Sequence, residues 1–66
     1  MTLPERDEDY ILSIYQNGRT VMEDKRIKAG TASINVVLTG TGTQFFEIYI
    51  NDTYDRTEKV EFTSND

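Results

Sequence analysis

Tyr10-Ile11-Leu12-Ser13-Ile14-Tyr15-Gln16-Asn17-Gly18-Arg19-Thr20-Val21 is the stretch that decides the fold. Tyr10, Leu12 and Ile14 alternate with Ile11, Ser13 and Tyr15, the period of a strand with both faces at least partly covered. Asn17-Gly18 then gives the strongest short hairpin signal. A type I′ turn needs φ > 0 at both central residues, which Asn and Gly tolerate. With these two at the centre, Gln16 pairs with Arg19, Tyr15 with Thr20 and Ile14 with Val21. The last pair sets two apolar side chains on one face, so register and turn agree.

Downstream, Arg19 to Ala29 is open to two readings. Thr20 and Glu23 have capping-box spacing, and Gly30 is placed to end a helix. On a helical wheel, however, Val21, Met22 and Ile27 do not gather on one face. A strand is favoured, bulged near Glu23 to Lys25, because otherwise those charges share the parity of Val21 and Ile27. Ala29-Gly30 turns the chain. Ala32, Ile34, Val36 and Leu38 alternate with Ser33, Asn35, Val37 and Thr39, the cleanest strand pattern of all. Thr39 to Thr43 is a Gly-rich turn, Gln44 to Ile50 a further strand, Asn51 to Asp55 a turn, and Val60 to Phe62 a last strand. Thr63 to Asp66 trails off.

The expected fold is all-β: a small Ig-like sandwich or open barrel of about five mainly antiparallel strands. Residues 1–9, with Pro4 and the acids Glu5, Asp7, Glu8 and Asp9, form an extended acidic leader or linker. Residues 10–66 form a single β domain. The expected core is Leu12, Ile14, Val21, Ile27, Ile34, Val36, Leu38, Phe46, Ile48, Ile50, Val60 and Phe62. Sixty-six residues allow one domain and a modest core.

Composition narrows the function. The chain has neither cysteine nor histidine, so it lacks thiolate chemistry and the commonest general base and metal ligand. Twelve acids against seven bases leave a net charge of −5, which disfavours nucleic acid and anionic membranes. There is no apolar run long enough to span a bilayer, and Met1 to Tyr10 is too polar for a signal peptide. Two contexts fit: a cytoplasmic protein, or a domain of a longer secreted chain.

Individual motifs point to no catalysis. Gly40-Thr41-Gly42 lacks the third glycine and following helix of a dinucleotide loop. Asn51, Asp52 and Asp55 lack calcium-loop spacing and read as Asx-turn residues. Asn51-Asp52-Thr53 is a glycosylation sequon of use only in a eukaryotic secreted protein. Ser13, Ser33 and Ser64 have no histidine to activate them, and Lys25, Lys28 and Lys59 lack the burial a lysine base needs. Lys25, Arg26 and Lys28 form the one basic cluster and read as a solvated strand. No cofactor or metal is expected. The candidate binding face is Tyr15, Phe45 and Tyr49, all on the parity opposite the core. Clustered, they make a platform for a sugar or a protein, since tyrosine offers an apolar ring and a hydroxyl. The plainer reading is that they cover the second face of the sheet or pack on a neighbouring domain.

Taken in order, Ile14-Tyr15, Asn17-Gly18-Arg19, Val21, Lys28-Ala29-Gly30, Ile34 to Leu38, Gly40-Thr41-Gly42, Phe46 to Asn51 and Val60-Glu61-Phe62 form a layout. It resembles the short Ig-like β-module that closes the extracellular part of some Gram-positive PASTA-type serine/threonine kinases. Leu3-Pro4 resembles the linker leading into it. The resemblance covers most of the chain and implies an extracellular location at the bacterial cell surface, with a sensing or adhesive role linked to peptidoglycan. It carries no diagnostic binding motif, so no residue role follows from it. The expectation is therefore a non-catalytic structural or recognition module of a bacterial surface protein, perceiving peptidoglycan fragments or another protein domain. The alternative is a free-standing small acidic phage or bacterial protein that binds and inhibits a host protein.

Overall fold

A computed structural model describes residues 1–63. The chain is all-β, built on one antiparallel sheet of four strands. These are β1 (Tyr10–Gln16), β2 (Arg19–Ile27), β3 (Gly42–Ile50) and β4 (Thr53–Phe62), in the spatial order β2-β1-β3-β4. Two hairpins therefore lie side by side, joined through β1 and β3.

Both hairpins close in two residues. Asn17 and Gly18 have φ of 50° and 78°, the type I′ signature expected from the sequence. Asn51 and Asp52 repeat it with φ of 51° and 62°. Gln16 pairs with Arg19 and Tyr15 with Thr20, as the turn requires. Ile14, however, faces Met22 and not Val21, because an extra residue enters β2 there. Segment 19–27 is a strand and not a helix. Its second irregularity falls where the charge pattern placed it, with Glu23 and Asp24 opposite Ser13. Asp24 takes φ of 52°, and its N–H donates to Ser13 Oγ at 3.1 Å. The bulge thus turns the charged side chains outward and satisfies a buried hydroxyl.

One face of the sheet carries the core. Leu12 and Ile14 from β1, Phe46, Ile48 and Ile50 from β3, and Ile27 from β2 are buried, joined by Tyr10 and Leu3. Val21, Ile34, Val36, Leu38, Val60 and Phe62 are half-buried and pack around this cluster. The fifth expected strand requires correction. Residues 32–38 form no ladder; a single antiparallel bridge joins Ser33 to Thr2. The segment is a strap running over the core face. Its alternation is real, with Ile34, Val36 and Leu38 turned toward the core and Asn35 and Val37 toward solvent. Alternation reports which side chains face the core. It does not report whether the backbone finds a neighbour.

The leader is tied to the same face. Leu3 is only 5% exposed. Leu3 N–H donates to Ala32 O at 2.8 Å, and Ile34 N–H donates to Met1 O at 3.0 Å. Further along, Gly30 N–H donates to Arg6 O and Ala29 N–H to Asp9 Oδ1. Glu5 to Asp9 are exposed, as charge dictates. Leu3 departs from the leader because burying its side chain stabilises the fold by about 1.5–3 kcal/mol. Arg56 on β4 clamps the arrangement. Its guanidinium donates to Glu58 at 2.7 Å, to Asp55 at 2.8 Å and to Thr2 O at 3.0 Å. The Glu58 bond is the largest of the influences that raise its pKa.

Candidate functional site

The strap and leader occupy one face of the sheet, so the opposite face is where side chains can meet a partner. Partners across a ladder share a face. Ser13 pairs with Tyr49, Tyr15 with Glu47, Tyr49 with Tyr54 and Phe45 with Lys59. These pairs lay a row of rings across three strands. Tyr15 and Tyr49 meet edge to face with centroids 5.4 Å apart, and Tyr49 meets Tyr54 likewise at 5.7 Å. Such geometry sets the positive edge of one ring on the negative face of the next.

Two of the three residues read from the sequence thus come together. Phe45 stands on the same face, 49% exposed, opposite Lys59. Among the described residues it has no ring partner on that face, because Glu47 stands between it and Tyr49 along β3. Tyr54 takes the third place. Its position depends on a register shift between Ile48 and Tyr49, where β4 carries the extra residue Asp55. In the sequence Tyr54 falls inside the segment read as the turn Asn51 to Asp55, so nothing marked it as a strand residue of this face.

The row is polar at its margins. Tyr15, Tyr49, Glu47, Asp52 and Gly18 line a shallow groove of about 420 Å³. Tyr49 Oη donates to Glu47 Oε2 at 3.4 Å. Tyr54 Oη and Thr57 Oγ1 share a hydrogen bond of 2.7 Å. Desolvation, then the Glu47 carboxylate, pushes the Tyr49 phenol above its ordinary pKa. The groove therefore offers flat apolar rings beside carboxylate acceptors and phenolic donors. Among the described residues no three His, Cys, Asp or Glu side chains converge as a metal ion would require.

Beneath the strap lies a second hollow of about 290 Å³, lined by Met1, Ile14, Val36, Phe46, Ile48 and Val60 among others. Its lining is mainly apolar. Tyr10 Oη is buried without a hydrogen-bond partner among the described residues, while Arg6 stacks over its ring at 5.3 Å. Burial raises its pKa, so the phenol is neutral.

No protein-family model matches the chain, and neither a curated protein nor a solved structure is similar enough to count as a match.

Proposed function

We propose that the chain is a non-catalytic recognition module of a bacterial surface protein, whose outer sheet face binds glycan fragments of peptidoglycan. The observation that carries this is the row Tyr15, Tyr49 and Tyr54, with Glu47 and Asp52 at its margin. Sugars present apolar C–H faces and hydroxyl edges. Rings bind the first and carboxylates accept from the second. In this reading the strap over the opposite face is a partial second layer, the one feature on which a sandwich-like, Ig-like architecture would rest.

The test is an NMR titration of labelled protein with soluble peptidoglycan fragments, following the backbone amides. Saturable shifts should gather around Tyr15, Tyr49 and Tyr54. Tyr54 is 53% exposed, so Tyr54→Ser should leave the fold intact and weaken binding roughly tenfold, the loss of about 1.4 kcal/mol of contact. An absence of shifts at millimolar ligand overturns the glycan reading and favours a protein partner.

A further inference from the structure

A sheet of four strands has two edges, and both are protected here. β2 carries Glu23, Asp24, Lys25 and Arg26 together with two register shifts. β4 carries Asp55, Arg56, Glu58, Lys59 and Glu61 and a shift of its own. Arg56 and Glu58 pair with Ile48 and Phe46, so they are charges on the core face of an edge strand. Charge, bulges and inward-facing charge are the devices that stop an edge from pairing with another chain.

The strap has none of them. From Ala29 to Phe46 no side chain is charged, although the chain as a whole carries −5. Its alternating, β-branched run Ile34-Asn35-Val36-Val37-Leu38 is well suited to a ladder. Among the described residues, however, no backbone hydrogen bond ties Asn35, Val36, Val37 or Leu38 to the rest of the fold. Val37 is 86% exposed.

We infer that the strap is a self-association edge: two copies of this chain pair antiparallel through Asn35 to Val37. The occupant follows from charge and register. Two chains of −5 repel wherever their acidic surfaces meet, and the neutral run is where they approach without like charges opposed. The register follows from the leader. Ala32 O, Ile34 N–H and Ile34 O all turn toward Met1 to Leu3. Backbone groups alternate sides along an extended chain, so the N–H and C=O of Asn35 and Val37 turn to the opposite edge. A twofold axis at Val36 then exchanges both bonds between Asn35 of one copy and Val37 of the other, twice. Val36 faces Val36 on the core side, a favourable β-branched cross-strand pair. The layer of strap and leader over each copy's core gains the other copy's strap as a further extended segment. The contact is small, so the dimer belongs to the weak class of interfaces. This does not rest on the glycan reading, which concerns the other face.

The test is sedimentation equilibrium of the full chain over a wide concentration range, with amide hydrogen exchange at the high end. The expected result is a concentration-dependent rise to twice the mass of one chain, with slowed exchange at Asn35 and Val37. Val37→Lys sets charge beside the axis, and Val37→Pro removes the N–H. Both should restore a monomer while leaving the thermal transition of the fold in place, because Val37 is exposed. A chain that stays monomeric at every concentration overturns the inference. So does a dimer that survives both substitutions, since it must use another edge.

Discussion

Asp9 accepts the Ala29 N–H at 2.8 Å and faces Arg26 at 3.4 Å, holding the leader against the end of β2. The Ala29 hydrogen bond is the largest influence that keeps its carboxyl below the ordinary value of 3.8. A folded-state pKa below the unfolded one contributes stability above the unfolded value, and that contribution disappears as pH falls through the folded one. The gap in melting temperature between the native chain and Asp9→Ala should therefore be open at neutral pH. It should close as pH falls below the ordinary carboxylate range, where the folded-state group is also protonated. A gap of constant size across the titration would mean that the carboxylate charge is not its source. At this scale the sequence was legible where parity alone decides. Tyr15 and Tyr49 share a face because both lie opposite their core neighbours. Tyr54 was not legible, since Asp55 shifts its register and no local pattern announces that residue. Leu3 was hidden by its acidic surroundings, which describe solvation of its neighbours and not its own packing.

Turns set the behaviour of the elements. Gly18 meets the φ > 0 demand of the first hairpin without strain, whereas the second asks it of Asp52. A Cβ in the left-handed region costs about 1–2 kcal/mol, partly offset because glycine loses more freedom on folding. Asp52→Gly should thus raise stability by up to about 1 kcal/mol, read as a rise of a few degrees in the thermal midpoint. A lower midpoint would show that the Asp52 side chain supports the turn by more than its backbone strain. Asn51 is not equivalent. Its backbone N–H donates to Ile11 O, and its Oδ1 accepts from Ile11 N–H, so it locks the turn onto β1. The first hairpin and the bulge at Glu23-Asp24 could be read from residue types, because turn chemistry and misplaced charge are local. The shift at Val21 could not, because there the apolar pattern continues through it. The strap shows the same limit: side-chain alternation was present, while ladder formation depends on where the rest of the chain lies.

For the molecule as a whole, the measure is how little core sustains the fold. The principal extents are 43 × 22 × 15 Å, a slab with its apolar residues on one side. Ile48 lies two residues before the end of β3, fully buried and paired with both Ile14 and Arg56. Ile48→Asp places a carboxylate among Leu12, Ile14 and Phe46. The cost exceeds about 4 kcal/mol, close to the whole stability expected of a domain this size. The variant should show no cooperative thermal transition by circular dichroism. A transition near that of the native chain would move the core elsewhere.

The order β2-β1-β3-β4 also has a kinetic meaning. Each hairpin closes through a two-residue turn, an event of microseconds, yet a lone hairpin is marginal in water. The pairing of β1 with β3 commits the chain, and it must first close the long connection from Lys28 to Thr41. This order predicts a transition state in which the two hairpins meet, with the strap settling afterwards. Weakening the seam of Ile14 and Ile48 should slow folding, whereas loosening Ile34 or Leu38 should hasten unfolding, read from the two arms of a denaturant chevron. On this expectation the strand order draws a boundary between the contacts that set how quickly the chain forms and those that set how long it lasts.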